Sequence, residues 1–166
     1  MKLLRIGEPG KEKPAVLINE NKVVDVSAHV TDYNGAFFEG GGLEKLKGLL
    51  KGNLPTIDLG GKRIGAPVAR PWKVIGIGLN YADHAKESNM PIPPEPVVFT
   101  KASNTVIGPN DTVLIPRNSK KTDWEVELGV VIGKTARYLP DKESALDCVA
   151  GYCISNDVSE REFQIE

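Results

Sequence analysis

Hydrophobic and polar positions in this chain change over in short blocks, with no long stretch of helical period. Near the N-terminus the apolar runs LLRIG, AVLI and VVDVS are separated by the polar, turn-forming stretches PGKEKP and NENK. Short apolar runs bounded by turn residues predict a small β-meander. Gly40-Gly41-Gly42 then precede LEKLKGLL, in which Leu43, Leu46, Leu49 and Leu50 form an apolar stripe. That spacing predicts a short amphipathic helix. The segment GKRIGAPVARP, ending at Pro71, reads as a joint. It divides the chain into a small α+β N-terminal domain, residues 1–69, and a second unit, residues 70–166.

The second unit opens with the apolar strand KVIGIGLN, whose Gly76 and Gly78 allow close backbone approach. Asn80 is expected to cap a helix that starts at about Tyr81 and carries Asp83 in its first turn. His84 and Glu87, three apart, then share a face of that helix. The following NMPIPPEP holds four prolines within six residues, so it must leave the helix and form a loop or lid. After it come VVFTKAS, a GPND turn, the apolar VLIP, a polar NSKKTD stretch and the strand WEVELGVVIG. A short helix at ESALDCV leads into a strand, GYCISNDVS, that ends at Asn156-Asp157.

The candidate chemistry sits at the ends of these strands. Glu125 and Glu127 are two apart, and a side-chain period of two sends both carboxylates from one face while Trp124, Val126 and Leu128 leave by the other. A divalent cation is the simplest reason for such a pair to point inward, because converging carboxylates repel one another unless something neutralises them. The alternative is a half-exposed strand whose solvent face happens to be acidic. Asp157 adds a third hard-oxygen ligand if its strand lies beside the first, and the three would suit Mg²⁺ or Mn²⁺. His84 and Glu87 fit either a general base with its orienting carboxylate or a solvated surface pair. Lys101 follows an apolar strand, where it would stabilise a developing oxyanion or simply be solvated.

Composition narrows the partners. The chain has 166 residues, 40% of them hydrophobic, with a formal net charge of −1. That is enough apolar material for a core, and the intermixed charges show no footprint for nucleic acid or an anionic membrane. Small metabolites are the expected ligands. No run of eighteen apolar residues occurs, and Met1-Lys2-Leu3-Leu4 passes into polar sequence unlike a signal peptide, so a cytoplasmic location is expected. Cys148 and Cys153 are the only cysteines and read as small hydrophobes, not as a zinc or redox pair. His29 stands alone and reads as structural or surface. A third fingerprint glycine, a calcium-loop pattern and GxSxG are all absent, which removes dinucleotide, EF-hand and serine-elbow chemistry.

Taken in order, GIGLNYADHAKE, FTKASNTVIGPND, DWEVELGVVIGKTARYL and GYCISNDVSEREFQ resemble the fumarylacetoacetate hydrolase family over about residues 70–166. The resemblance implies a mostly β protein with short helices, its catalytic domain a mixed β-sandwich or β-roll, behind a small N-terminal domain. It implies a homodimeric, Mg²⁺- or Mn²⁺-dependent enzyme acting on a small 2-oxo or 2-enol acid. By motif, Glu125, Glu127 and Asp157 match the metal ligands, His84 the catalytic base, Glu87 its partner and Lys101 a substrate-contacting lysine. Hydrolysis of a carbon–carbon bond in a 2,4-diketo acid, acylpyruvate-like or a diketo-deoxy sugar acid, is the implied reaction. Isomerisation or decarboxylation of 2-hydroxyhepta-2,4-diene-1,7-dioate, or decarboxylation of oxaloacetate, is the alternative on the same scaffold. Catalytic domains of the family run beyond the EREFQ motif, so the sequence ending at Glu166 is expected to be incomplete. An inactive fragment, or a domain that only binds metal or keto acid, is the rival reading.

Overall fold

The computed structural model describes residues 1–20 and 22–165. Its first unit is the predicted meander: β1 (Lys2–Ile6), β2 (Lys13–Asn19) and β3 (Lys22–Asp25) pair antiparallel in sequence order. The NENK turn includes Asn21, which lies outside the described residues. Two helices follow, α1 (Gly35–Glu39) and α2 (Gly42–Leu49), and then the two-residue strands β4 (Thr56–Ile57) and β5 (Ile64–Gly65). These short strands cover the two edges of the meander, giving one antiparallel sheet in the order β4-β3-β2-β1-β5.

The predicted helix is α2, while α1 was not legible in the pattern. It is started by Asn34, whose side-chain oxygen accepts a hydrogen bond from Phe37 N at 3.0 Å. Its GAFFE sequence is too short for a periodic signal, and Phe37 and Phe38 are recruited by packing against the core. That core brings Val16, Val24 and Val26 of the sheet region against Val30, Tyr33 and Leu46. Tyr33 is fully buried, and its hydroxyl satisfies itself by donating to Ala15 O at 2.8 Å.

The second unit is built from hairpins. β6 (Val74–Gly78) pairs antiparallel with β7 (Val97–Lys101), and α3 (Ala82–Glu87) lies in the connection. Gly76 faces Phe99 across this pair. A Cβ built on Gly76 would fall 2.1 Å from Phe99 Cζ, so the close approach expected there is real and is made by an aromatic ring. The short β8 (Thr122–Asp123) precedes β9 (Val126–Ile132), and α4 (Glu143–Leu146) leads into β10 (Val149–Asn156). β9 and β10 pair antiparallel, Glu127 opposite Ser155 and Val126 opposite Asn156. β11 (Ser159–Glu160) returns to pair with β8, and α5 (Arg161–Ile165) follows it. VLIP, which has strand-like composition, is a loop that pairs with no strand among the described residues.

An ion network links the N-terminal sheet to the turn that carries Asp111. Arg63 donates two hydrogen bonds to Asp111, at 2.7 and 2.6 Å, and one to Glu12 at 3.0 Å. Arg5, itself buried, joins Glu12 at 3.2 Å and Asp32 at 2.6 Å. The apolar face of the β9–β10 pair, in contrast, is open: Val126, Leu128 and Ile154 are 67%, 61% and 86% exposed. Among the described residues no helix is long and apolar enough to cross a membrane.

Candidate active site

Strand pairing places the acidic residues together. Because β9 and β10 run antiparallel, the start of one lies beside the end of the other, and Asp157 N donates to Glu125 O at 2.9 Å. Glu125 N in turn donates to Asn156 Oδ1 at 3.1 Å. Burial along β9 alternates, with Glu127 on the less exposed face and Val126 and Leu128 on the open one. The acidic face is therefore the more enclosed one, the reverse of an ordinary half-exposed strand.

Electrostatics show how the groups feel one another. Burial, together with the negative charges of Glu125 and Asp157, pushes the Glu127 carboxyl above its ordinary value, and His84 pulls it partly back. Glu125, Glu127, Asp157 and His84 thus form one electrostatic cluster. The cations around it are unevenly shared. Lys101 pairs with Asp157 and also donates to Val158 O at 2.9 Å and Ser159 Oγ at 3.2 Å. Arg161 pairs with Glu125 and with Asp123, the latter at 2.8 Å. Glu127 makes no ion pair among the described residues.

His84 is carried by α3, a helix of six residues anchored by the buried Ala85. The expected Asn80 cap does not form. Tyr81 occupies the N-cap position in an extended conformation without a side-chain cap, after Leu79 turns the chain through a positive φ of 50°. The strand-to-helix turn is thus made one residue before Asn80, which displaces it from the capping position. His84 and Glu87 are both exposed, and no hydrogen bond joins them among the described residues. The turn after α3 runs into the proline-rich segment, where Gly78, Asn80, Ile92 and Pro94 line a shallow cavity of about 300 Å³.

The donor types suit a hard divalent ion: three carboxylates at adjacent strand ends, one without a cationic partner. In the arrangement described, Lys101 and Arg161 hold two of the three. Among the described residues no group of three His, Cys, Asp or Glu side chains is drawn into ligating position. Two residues of this neighbourhood, Asp123 and Arg161, were not singled out from sequence. The signal was a basic residue four positions after Asp157 in SEREFQ, which means little until β8 and β11 are known to pair.

Residues 73–166 match the family described as fumarylacetoacetate (FAA) hydrolase C-terminal. The chain belongs to the fumarylacetoacetate hydrolase family. A protein of Burkholderia multivorans provisionally named a hydrolase is 56% identical over 166 residues, which are 100% of this chain and 58% of that protein. The chain thus spans 58% of the length of such curated relatives. Among solved structures, the fumarylacetoacetate hydrolase of Exiguobacterium antarcticum superposes with a TM-score of 0.73 at 32% identity, over 99% of this chain and 58% of that one. Maleylpyruvate hydrolase of Sphingobium sp. SYK-6, solved with manganese(II) and pyruvate, gives a TM-score of 0.76 at 25% identity, over 97% and 60%. The fold is therefore the mostly β fold of this family.

Proposed function

We propose that the protein supplies the acidic centre of a divalent-metal-dependent hydrolase that cleaves a carbon–carbon bond in a 2,4-diketo acid, acylpyruvate-like or a diketo-deoxy sugar acid. The observation that carries this reading is the antiparallel register of β9 and β10, which brings Asp157 beside Glu125 through the Asp157 N–Glu125 O hydrogen bond, with Glu127 on the more enclosed face of β9. Family membership and the solved relative holding manganese(II) and pyruvate support it.

In this reading Glu125, Glu127 and Asp157 hold Mg²⁺ or Mn²⁺. When bound, the ion would polarise the 2-oxo acid and accommodate the negative charge of an enolate. His84 takes a proton from water, Glu87 on the same helix face steadies the imidazole, and the water oxygen attacks the 4-carbonyl carbon. The bond between C3 and C4 then breaks, its electron pair passes to the three-carbon fragment as pyruvate enolate, and the other fragment leaves as a carboxylic acid. Protonation at C3 completes pyruvate. Lys101, already seated against Asp157, adds positive charge beside the developing oxyanion.

Calorimetric titration with Mg²⁺ or Mn²⁺, with and without oxalate as a mimic of the 2-oxo acid, tests the site. Metal-dependent oxalate binding is expected. A folded chain that binds neither metal would refute the reading.

A further inference from the structure

Glu125 is restrained on every side but one. Its backbone is fixed to the Asn156–Asp157 corner through hydrogen bonds at its own N–H and C=O. Its Oε1 accepts from Arg161 Nη2, while Oε2 has no hydrogen bond among the described residues. The guanidinium is itself held in place: Nε and Nη2 donate to Asp123 Oδ2 at 3.2 and 2.8 Å, and Nη1 donates to Gln164 Oε1 at 3.1 Å. A planar fork held at three of its donor positions has its orientation set independently of Glu125.

The element that carries Arg161 is also tied down. Arg161 N donates to Lys121 O at 3.0 Å, Thr122 Oγ1 donates to Glu160 at 2.7 Å, and Lys121 pairs with Glu162 at 3.4 Å. The β8–β11 pair is therefore a brace between the segment before Glu125 and the segment after Asp157. Lys101, by comparison, is spread over Asp157, Val158 and Ser159 and has no carboxylate behind it.

We propose that Arg161, backed by Asp123, is a positioning residue that holds one oxygen of Glu125 so that the other is presented to a divalent cation. This rests on the metal-binding reading above. Groups that orient a ligating carboxylate from behind change metal affinity by about 10–100-fold when removed. Arg161 would act in this way, with Asp123 acting through Arg161 by one oxygen while its other accepts from Trp124 N at 2.9 Å.

The test is Mn²⁺ affinity of the full 166-residue chain by calorimetry, with water-proton relaxation as a second readout, for wild type, Arg161→Gln, Arg161→Lys, Asp123→Ala, Glu162→Gln and the Arg161→Gln/Asp123→Ala double variant. Arg161→Gln and Asp123→Ala are expected to weaken binding about 10–100-fold. The double variant should be no weaker than Arg161→Gln alone, and Arg161→Lys should recover part of the loss. Glu162→Gln, which loosens the same brace without touching Glu125, should bind like wild type. If Arg161→Gln fails to melt cooperatively, Asp123→Ala and Arg161→Lys decide the matter. Unchanged or tighter binding in Arg161→Gln, additive losses in the double variant, or an equal loss in Glu162→Gln would each overturn the proposal while leaving the metal site standing. Absence of Mn²⁺ binding by wild type would overturn both.

Discussion

Replacing Glu127 by glutamine separates the demands of the fold from those of the site. Arg161 and Lys101 compensate Glu125 and Asp157, but Glu127 carries its charge without an ion-pair partner beside both of them. Removing that charge is expected to stabilise the metal-free chain by about 0.5–2 kcal/mol, the usual range when a strained functional site is relieved. The same change removes a proposed ligand. At a Mn²⁺ concentration 100 times its dissociation constant, wild type gains RT ln(1 + 100), about 2.7 kcal/mol. A 100-fold weaker site gains only about 0.4 kcal/mol at that concentration. For a chain of this size the contrast is a rise in Tm of about 5–11 °C against one of about 1–2 °C. Paired thermal melts in chelator and in Mn²⁺ measure both effects. A lower Tm in chelator would refute the charge-crowding argument, and a full Mn²⁺ shift in Glu127→Gln would refute the ligand assignment.

Acidity gives a further check on Glu127. Its carboxyl is raised from 4.5, so as pH climbs from 4.5 through the raised value the folded chain holds the proton more than the unfolded one, and stability falls. Urea midpoints measured in chelator should show this decline in wild type and lose it in Glu127→Gln. The ion network around Glu12 and Arg63 has the opposite sign. Burial raises the Glu12 carboxyl, but hydrogen bonds from its own backbone and Arg63 and the charge of Arg5 outweigh this, and the Arg63 hydrogen bond lowers Asp111. Their contribution is complete above the ordinary values of 4.5 and 3.8 and fades as pH falls through the lowered folded ones, so Arg63→Met should blunt acid sensitivity in the same assay. Leu46→Ala empties a fully buried position and should cost about 2–5 kcal/mol by urea unfolding. Leu146→Ala, 68% exposed, should stay within about 0.5 kcal/mol. Gly108→Ala would set a Cβ 2.3 Å from Ile64 O, a backbone atom that cannot step aside, and a loss of about 1–3 kcal/mol is expected. His84→Gln should retain Mn²⁺ affinity in calorimetry and lose hydrolysis of an acylpyruvate; retained turnover would remove it as the base.

The chain's own pattern carried much of this. Apolar runs between turn clusters marked β1, β2 and β3 because a strand half-covered by a core needs little more than short apolar stretches with breaks. The leucine spacing marked α2, whereas the strand expected to carry both Glu125 and Glu127 begins only at Val126. The motifs from GIGLNYADHAKE to SEREFQ were sufficient to indicate the family. What the residues by themselves could not state was everything that depends on a second segment. Asp157 reaches Glu125 only through the antiparallel register of β9 and β10. Arg161 reaches it only because β8 pairs with β11 across 36 positions of sequence. The face of β9 that is enclosed proved to be the acidic one, since alternation says that two faces differ and not which of them is covered. Local periodicity follows from the geometry of one backbone, whereas charge pairing, burial and pKa depend on what a distant segment brings alongside, and only the tertiary structure decides that.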